Sequence, residues 1–224
     1  MKFSGENRIG ILVSGSGTNM QALLDADRDN GLGGGSIRVV ISNRPKAFAL
    51  NRARDAGVDT AVVSHRKLRN REDFENEIIR VFNSHDVNLV ILAGFMRVLT
   101  AGFLNHYKDR VVNIHPAILP SFPGVDGQGQ AARKCVRISG CTVHFVDEGT
   151  DTGPVIIQAA VPHIPGEGRD SLQQRILAQE HRIFPQAVRW ICEGRVWLEH
   201  GRVMYTSIPD ASGVLISPPL DTDE

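Results

Sequence analysis

The chain has 224 residues, of which 42% are hydrophobic and 22% charged, and its 25 Lys and Arg side chains balance 25 Asp and Glu side chains. This composition excludes a disordered or fibrous chain, and the length is sufficient for a packed core. A net charge of zero lacks the basic excess of a general nucleic-acid or anionic-membrane binder, so we expect neither kind of partner.

The three cysteines indicate a reducing compartment. Cys135, Cys141 and Cys192 form no CxxC pair, and their spacing predicts neither a disulfide framework nor a zinc site, so no metal is expected. The N-terminus lacks the apolar stretch of a signal peptide, and the longest apolar run, 89–96, is shorter than the ~20 residues that span a bilayer. We therefore expect a cytoplasmic protein.

Short runs rich in Val and Ile alternate with segments of helical spacing from Arg8 onward. This alternation is typical of a Rossmann-like α/β fold, with a mostly parallel central sheet and helices on both faces. The runs are too short for helices and apolar enough for strands that are covered on both sides. They predict five strands, at 9–13, 37–41, 60–63, 89–93 and 110–114.

Apolar side chains at three-and-four spacing predict crossover helices near residues 20–24, 47–54 and 74–82. Residues 116–129 are rich in Pro and Gly, so we expect a long ordered loop there without a regular element. Two late, antiparallel strands are predicted at 141–146 and 155–161, then a long helix at 172–192 and a hairpin at 197–205. We predict one domain over 8–209, with tails at 1–7 and 210–224.

A glycine-rich turn, VSGSGTN at 13–19, leaves the first strand and enters a helix. Glycines let backbone N–H groups approach an anion at the positive end of the helix dipole, which favours a phosphate. No Lys follows as in a Walker A loop, and the third Gly of the dinucleotide fingerprint is absent. A tight strand-to-helix connection, with Ser16 or Thr18 as a simple N-cap, is the alternative.

The segment NIHP ends the fifth predicted strand, at the edge where α/β sheets place their ligands. Asn113 and His115 point to the same face of that strand, so an amide donor and an imidazole can converge on one reacting atom. An amide N–H can hold an oxyanion and a histidine can move a proton, as acyl transfer requires. The alternative is a buried pair that satisfies loop carbonyls.

Asp151 lies in the turn DEGTDTGP between the two late strands. A carboxylate near His115 would orient the imidazole and accept a proton from an attacking amine. An Asp before Thr-Gly-Pro is also common turn chemistry that caps nearby N–H groups, and spacing alone favours this second interpretation. The remaining candidates, His65, His85, His106, His163 and His200, have no companion ligand and are expected to be surface or packing residues.

Taken together, these motifs resemble the glycinamide ribonucleotide formyltransferases of purine synthesis. The matching segments include VSGSGTNMQALL, LAGFMRVLTAGFLNHY, VVNIHPAILPSFPG, VHFVDEGTDTGPVIIQ and QEHRIFPQAV, in the family's order, and they cover the chain from Arg8 to about Arg195. The resemblance implies the formyltransferase fold and transfer of the formyl group of 10-formyltetrahydrofolate to the amino group of glycinamide ribonucleotide. Both are small-molecule partners, and we expect a monomer or homodimer.

The resemblance also implies roles for individual residues. It places the catalytic roles on Asn113, His115 and Asp151, and contact with the glycinamide group on Glu180. The implied phosphate-binding residues are Gly17, Thr18 and Asn19. The implied folate-binding residues are Leu92, Phe95, Met96, Arg97, Val98, Leu99 and Asn113.

One position departs from the family pattern. The family commonly has a His two residues after the Pro-Gly pair, whereas this chain has Asp126. A carboxylate there is expected to repel Asp151 or to pair with His115, altering the activity or shifting its pH optimum.

Three other functions remain as alternatives. The initiator methionyl-tRNA formyltransferases carry a C-terminal domain of roughly 100 further residues, and their substrate favours a basic surface. The formyltetrahydrofolate hydrolases carry an N-terminal regulatory domain, whereas only seven residues precede the first strand here, so length disfavours both of these enzymes. A non-catalytic nucleotide- or folate-binding module, with catalysis lost through Asp126, would bind both ligands without turnover.

Overall fold

The computed structural model describes residues 6–164 and 166–207. Seven strands form one sheet in the order β3-β2-β1-β4-β5-β6-β7. Strands β1 to β5 are mutually parallel, whereas β6 is antiparallel to β5 and β7 is antiparallel to β6. The strands are β1 (Asn7–Val13), β2 (Gly35–Ser42), β3 (Asp59–Val62), β4 (Leu89–Leu92), β5 (Val111–His115), β6 (Ile138–Phe145) and β7 (Val155–Pro162).

Helices cover both faces of this sheet, and a small hairpin follows the last of them. A 3-10 turn (His65–Lys67) precedes α3. The helices are α1 (Thr18–Asn30), α2 (Ala49–Asp55), α3 (Arg71–Ser84), α4 (Ala101–His106), α5 (Gly127–Arg133) and α6 (Arg169–Cys192), and the hairpin pairs β8 (Val196–Glu199) with β9 (Arg202–Tyr205). Within the described ranges, no helix is long and apolar enough to cross a bilayer.

The core lies in two layers, one on each face of the sheet. In β1, Ile9 and Ile11 belong to one buried cluster and Leu12 to the other, as the two-residue period of a strand requires. Gly10 faces α3, and a Cβ at this position would lie 2.4 Å from the Phe82 ring. Glycine therefore lets α3 pack directly on the central strand.

The predicted α/β class, the mostly parallel sheet and the antiparallel late strands are confirmed. Each predicted strand is present, with its ends displaced by three residues or fewer, and β1 begins at Asn7, inside the segment assigned to a tail. Two short helices were not predicted, and α5 contradicts the expectation that 116–129 contains no regular element. Residues 210–224 lie outside the described residues, and the single domain stays a prediction.

Candidate active site

Two adjoining clefts open at the carboxyl ends of β1, β4 and β5, where parallel α/β sheets place their ligands. The first encloses about 450 Å³ and the second about 260 Å³. The partition between them is made of residues that line both clefts, namely Gly94, Met96, Ile114, Pro116 and Gln128. Asn113 and His115 line the first cleft and flank Ile114 of this partition.

Asn113 is held by a histidine on the neighbouring strand. The two residues are directly opposite in the β5–β6 register, and Asn113 Nδ2 lies 3.1 Å from His144 Nε2. His144 Nδ1 lies 2.9 Å from the Phe145 carbonyl oxygen, which can only accept, so Nδ1 carries the proton. Burial lowers the pKa of His144, which keeps the ring neutral and leaves Nε2 as the acceptor for Asn113.

Asp151 joins this pair from the loop between β6 and β7. Its backbone has a left-handed φ of 55°, and its carboxylate accepts a hydrogen bond from Gly124 N–H at 2.7 Å. Asp151 Oδ1 lies 3.5 Å from Asn113 Nδ2, at the long limit of a hydrogen bond. A Cβ on Gly153 would lie 1.8 Å from the Phe145 carbonyl oxygen, so this glycine lets the loop approach the strand end closely.

His115 has acceptors on both sides of its ring. Nε2 lies 2.8 Å from the Phe122 carbonyl oxygen, and Nδ1 lies 3.2 Å from Asp151 Oδ2. Because a carbonyl only accepts, Nε2 donates to the Phe122 oxygen. His115 is therefore fixed between this loop carbonyl and Asp151 at the cleft wall.

Asp126 makes neither of the contacts expected from the sequence. Its Oδ1 lies 2.9 Å from Arg169 Nε, and its Oδ2 lies 3.2 Å from Arg133 Nη1. These hydrogen bonds lower the pKa of Asp126, so two guanidinium groups compensate the carboxylate. Arg133 and Arg169 thus neutralise the carboxylate that departs from the family pattern. Asp151 remains in contact with His115.

The loop after β4 forms one wall of the larger cleft and is fixed at both ends. Met96 N–H donates to Ser14 Oγ at 2.9 Å, and the buried carboxylate of Glu75 accepts from Thr100 N–H at 2.9 Å and from the Thr100 hydroxyl. Met96 is 62% exposed, so the wall offers apolar surface to a ligand. Every residue predicted to bind folate lines this cleft: Leu92, Phe95, Met96, Arg97, Val98, Leu99 and Asn113.

The smaller cleft contains the other predicted binding residues, Gly17, Thr18, Asn19 and Glu180. Asn19 Nδ2 donates to Glu180 Oε2 at 2.7 Å, across 161 residues of sequence. Burial raises the pKa of Glu180, against the smaller lowering effect of the Asn19 hydrogen bond. The buried Oδ1 of Asn19 has no partner among the described residues, so this amide has an acceptor available for a ligand.

His144 is the site residue that sequence reasoning missed. It interrupts an apolar strand, CTVHFV, which is the pattern that could have marked it. Sequence reasoning also missed two residues that support the site, Thr142 and Gln158. The Thr142 hydroxyl donates to Ala117 O at 2.7 Å, and Gln158 Nε2 donates to Leu119 O at 2.8 Å. Both side chains therefore anchor the loop after His115. Within the described ranges, no three His, Cys, Asp or Glu side chains converge as metal ligands would.

Comparison with known proteins agrees with this architecture. A chain of Drosophila melanogaster named trifunctional purine biosynthetic protein adenosine-3 is 47% identical over 84% of this chain, which spans 14% of that protein's length. The Escherichia coli phosphoribosylglycinamide formyltransferase is 39% identical, with 86% of this chain and 94% of that enzyme covered. The crystal structure of glycinamide ribonucleotide transformylase 1 from Symbiobacterium toebii superposes with a TM-score of 0.87 at 46% identity, covering 92% of this chain and 97% of that one. The sequence model described as formyl transferase matches residues 7–188, and this chain belongs to that family.

Proposed function

We propose that this chain transfers the formyl group of 10-formyltetrahydrofolate to the amino group of glycinamide ribonucleotide, giving N-formylglycinamide ribonucleotide and tetrahydrofolate. The observation that carries the proposal is the meeting of Asn113, His115 and Asp151 beside the partition between an apolar cleft and an anion-binding turn. The folate cosubstrate occupies the larger cleft, against the loop 92–99. The nucleotide occupies the smaller one, with its phosphate on Gly17, Thr18 and Asn19 and its glycinamide group near Glu180.

Asn113 stabilises the oxyanion that forms when the amine attacks the formyl carbon. Its Nδ2 group has one hydrogen directed at His144 and another directed at Asp151 in a contact of 3.5 Å, and this second hydrogen can donate to a formyl oxygen that approaches on the Asp151 side. His115 supplies a second donor by exchanging one of its two contacts for that oxygen. Both donors come from a single rigid strand, which limits the reorganisation that the transition state requires.

Asp151 handles the proton that the amine must lose. The attacking nitrogen gives up one hydrogen and the departing folate nitrogen gains one, so the transfer needs a carrier and no net acid or base. The carboxylate of Asp151, directly or through a water, takes the amine proton and passes it to the leaving nitrogen. No nucleophilic side chain is required in this scheme. We also propose that residues 8–209 form one catalytic domain, active in the cytoplasm as a monomer or homodimer.

The test is to mix the purified protein with both substrates and follow tetrahydrofolate and formylated nucleotide together. We expect the two products to form in equal amounts, and turnover to fall by about two orders of magnitude or more in His115→Ala and in Asp151→Asn. His106→Ala, an exposed histidine outside both clefts, is the matched control and should turn over normally. Folate product without formylated nucleotide would instead identify a hydrolase, and tight binding without turnover would identify a non-catalytic module.

A further inference from the structure

Among the described residues, the cleft assigned to the nucleotide has no positive side chain of its own. Fifteen of these residues line it; none of the fifteen is Lys, Arg or His, and Glu180 is acidic. A phosphate monoester carries a charge of about −1.5 to −2 at neutral pH. Backbone N–H groups and the helix dipole supply only partial charges there, so a full positive charge has to come from a side chain behind the lining residues.

Helix α2 holds the glycine-rich turn through two of the carbonyl groups of the turn. Ala49 N–H donates to the Gly15 carbonyl at 3.1 Å, and Arg52 Nε donates to the Ser16 carbonyl at 3.0 Å. In a trans peptide the C=O and N–H bonds point in opposite directions, so the N–H groups of Ser16 and Gly17 point away from α2. Neither N–H has an acceptor among the described residues, and both residues line the cleft.

Arg52 is held in place without a carboxylate. Its guanidinium lies 5.0 Å from the centre of the Phe48 ring, and its Nη1 lies 3.4 Å from Gln21 Oε1 on α1. Among the described residues no Asp or Glu forms an ion pair with it, whereas Arg28 pairs with Asp25 and Asp29 and Arg80 pairs with Glu77. The charge of Arg52 is thus fixed next to the turn and uncompensated.

We propose that Arg52 is a positioning residue for the substrate phosphate. It holds the peptide between Ser16 and Gly17 with the N–H directed into the cleft, and it supplies the positive charge that the lining residues lack. This inference rests on the proposed function only in taking the phosphate to be that of the nucleotide substrate. Arg52 does not touch the reacting atoms, so its effect falls on nucleotide binding and not on the chemical step.

The matched pair of variants is Arg52→Gln and Arg54→Gln. Both change a cation on α2, but the contact of Arg54 is with the exposed side chain of Asn51. We expect Arg52→Gln to raise KM for glycinamide ribonucleotide by about tenfold, the order of one charged contact. Its kcat and its KM for the folate should stay within about twofold, since neither involves the phosphate. Arg54→Gln should leave all three unchanged, and Arg52→Lys, which keeps the charge, should recover part of the loss.

A substrate that lacks the phosphate separates this role from a structural one. With glycinamide riboside, wild type and Arg52→Gln should have equal kcat/KM, because the group that Arg52 serves is absent. An equal loss on both substrates, or a raised folate KM together with a lowered melting temperature, would overturn the proposal. If the wild type does not turn over the nucleotide, the proposed function fails, but titration with ribose 5-phosphate still tests Arg52. Tenfold weaker binding by Arg52→Gln then supports its role, and equal binding refutes it.

Discussion

The substitution His144→Phe tests whether the orientation of Asn113 depends on its neighbour on β6. Phenylalanine fills a similar volume but cannot accept the hydrogen that Asn113 Nδ2 directs at His144 Nε2 at 3.1 Å. A hydrogen bond of this kind contributes about 0.5–1.5 kcal/mol, and an unpaired buried donor costs about 1–3 kcal/mol. Without the acceptor the amide can flip and present its oxygen to the oxyanion. We therefore expect a loss of about 1–2 kcal/mol in the transition state, which is about a 5- to 30-fold lower kcat.

The assay is the initial rate of formylated nucleotide at saturating concentrations of both substrates, with thermal unfolding measured on the same samples. His144→Gln is the companion variant, because its amide oxygen can still accept from Asn113, and it should retain more of the rate than the Phe variant. His106→Phe serves as the control for a histidine-to-phenylalanine change at an exposed position. If His144→Phe keeps the wild-type kcat while folded, Asn113 does not need this contact and the assignment of His144 is wrong.

Three further outcomes follow from the geometry. Gly17→Ala should lower the free energy of unfolding by about 1–2 kcal/mol or more, because φ is +74° and the new methyl would lie 2.5 Å from the Ala49 methyl. The control is Gly15→Ala, which has open space around it and should leave the urea midpoint unchanged. Because the folded-state pKa of His144 is below its ordinary 6.5, its contribution to stability should be complete above pH 6.5 and be lost as the pH falls towards the folded value. Urea midpoints measured from neutral to acidic pH should therefore show a slope that His144→Gln reduces, and an unchanged slope would contradict the assignment. Asp126→Asn should keep kcat within about twofold, since this partly exposed carboxylate is directed at two arginines and not at the reacting groups. A tenfold loss of turnover would show that Asp126 contributes to catalysis.

The parts of the fold that could be predicted are those encoded by local periodicity. The strands are short runs of consecutive apolar residues, and such a run predicts a strand that is buried on both faces. In β4, for example, all four residues are buried. Helix α5 escaped prediction because it begins with Gly127 and contains Gly129, residues that disfavour a helix in isolation. Its first residue lies against His115, and a Cβ there would be 3.1 Å from the Nε2 atom. Close packing at the site overrides helix propensity at that point.

The residues of the candidate site also fall into two groups, those that the local sequence predicts and those that it does not. Asn113 and His115 could be paired from the sequence, because residues two apart in one strand share a face. The contact between Asn113 and His144 depends on β6 lying beside β5, a pairing that neither segment encodes alone. Asp151 could not be distinguished from an ordinary turn residue without a known family pattern, since its partner Gly124 is 27 residues away in the chain. Tertiary pairing, and not local chemistry, determines these members of the site.

The reversal of direction at β6 has a consequence for the growing chain. Strands β1 to β5 leave the ribosome first and can pair with one another, but β5 then forms an open edge with unpaired backbone groups. Only when β6 emerges is that edge covered, and the same event brings His144 next to Asn113. A nascent or truncated chain that stops before β6 is therefore an aggregation-prone fragment without a completed site, so solubility and activity should be acquired together late in synthesis.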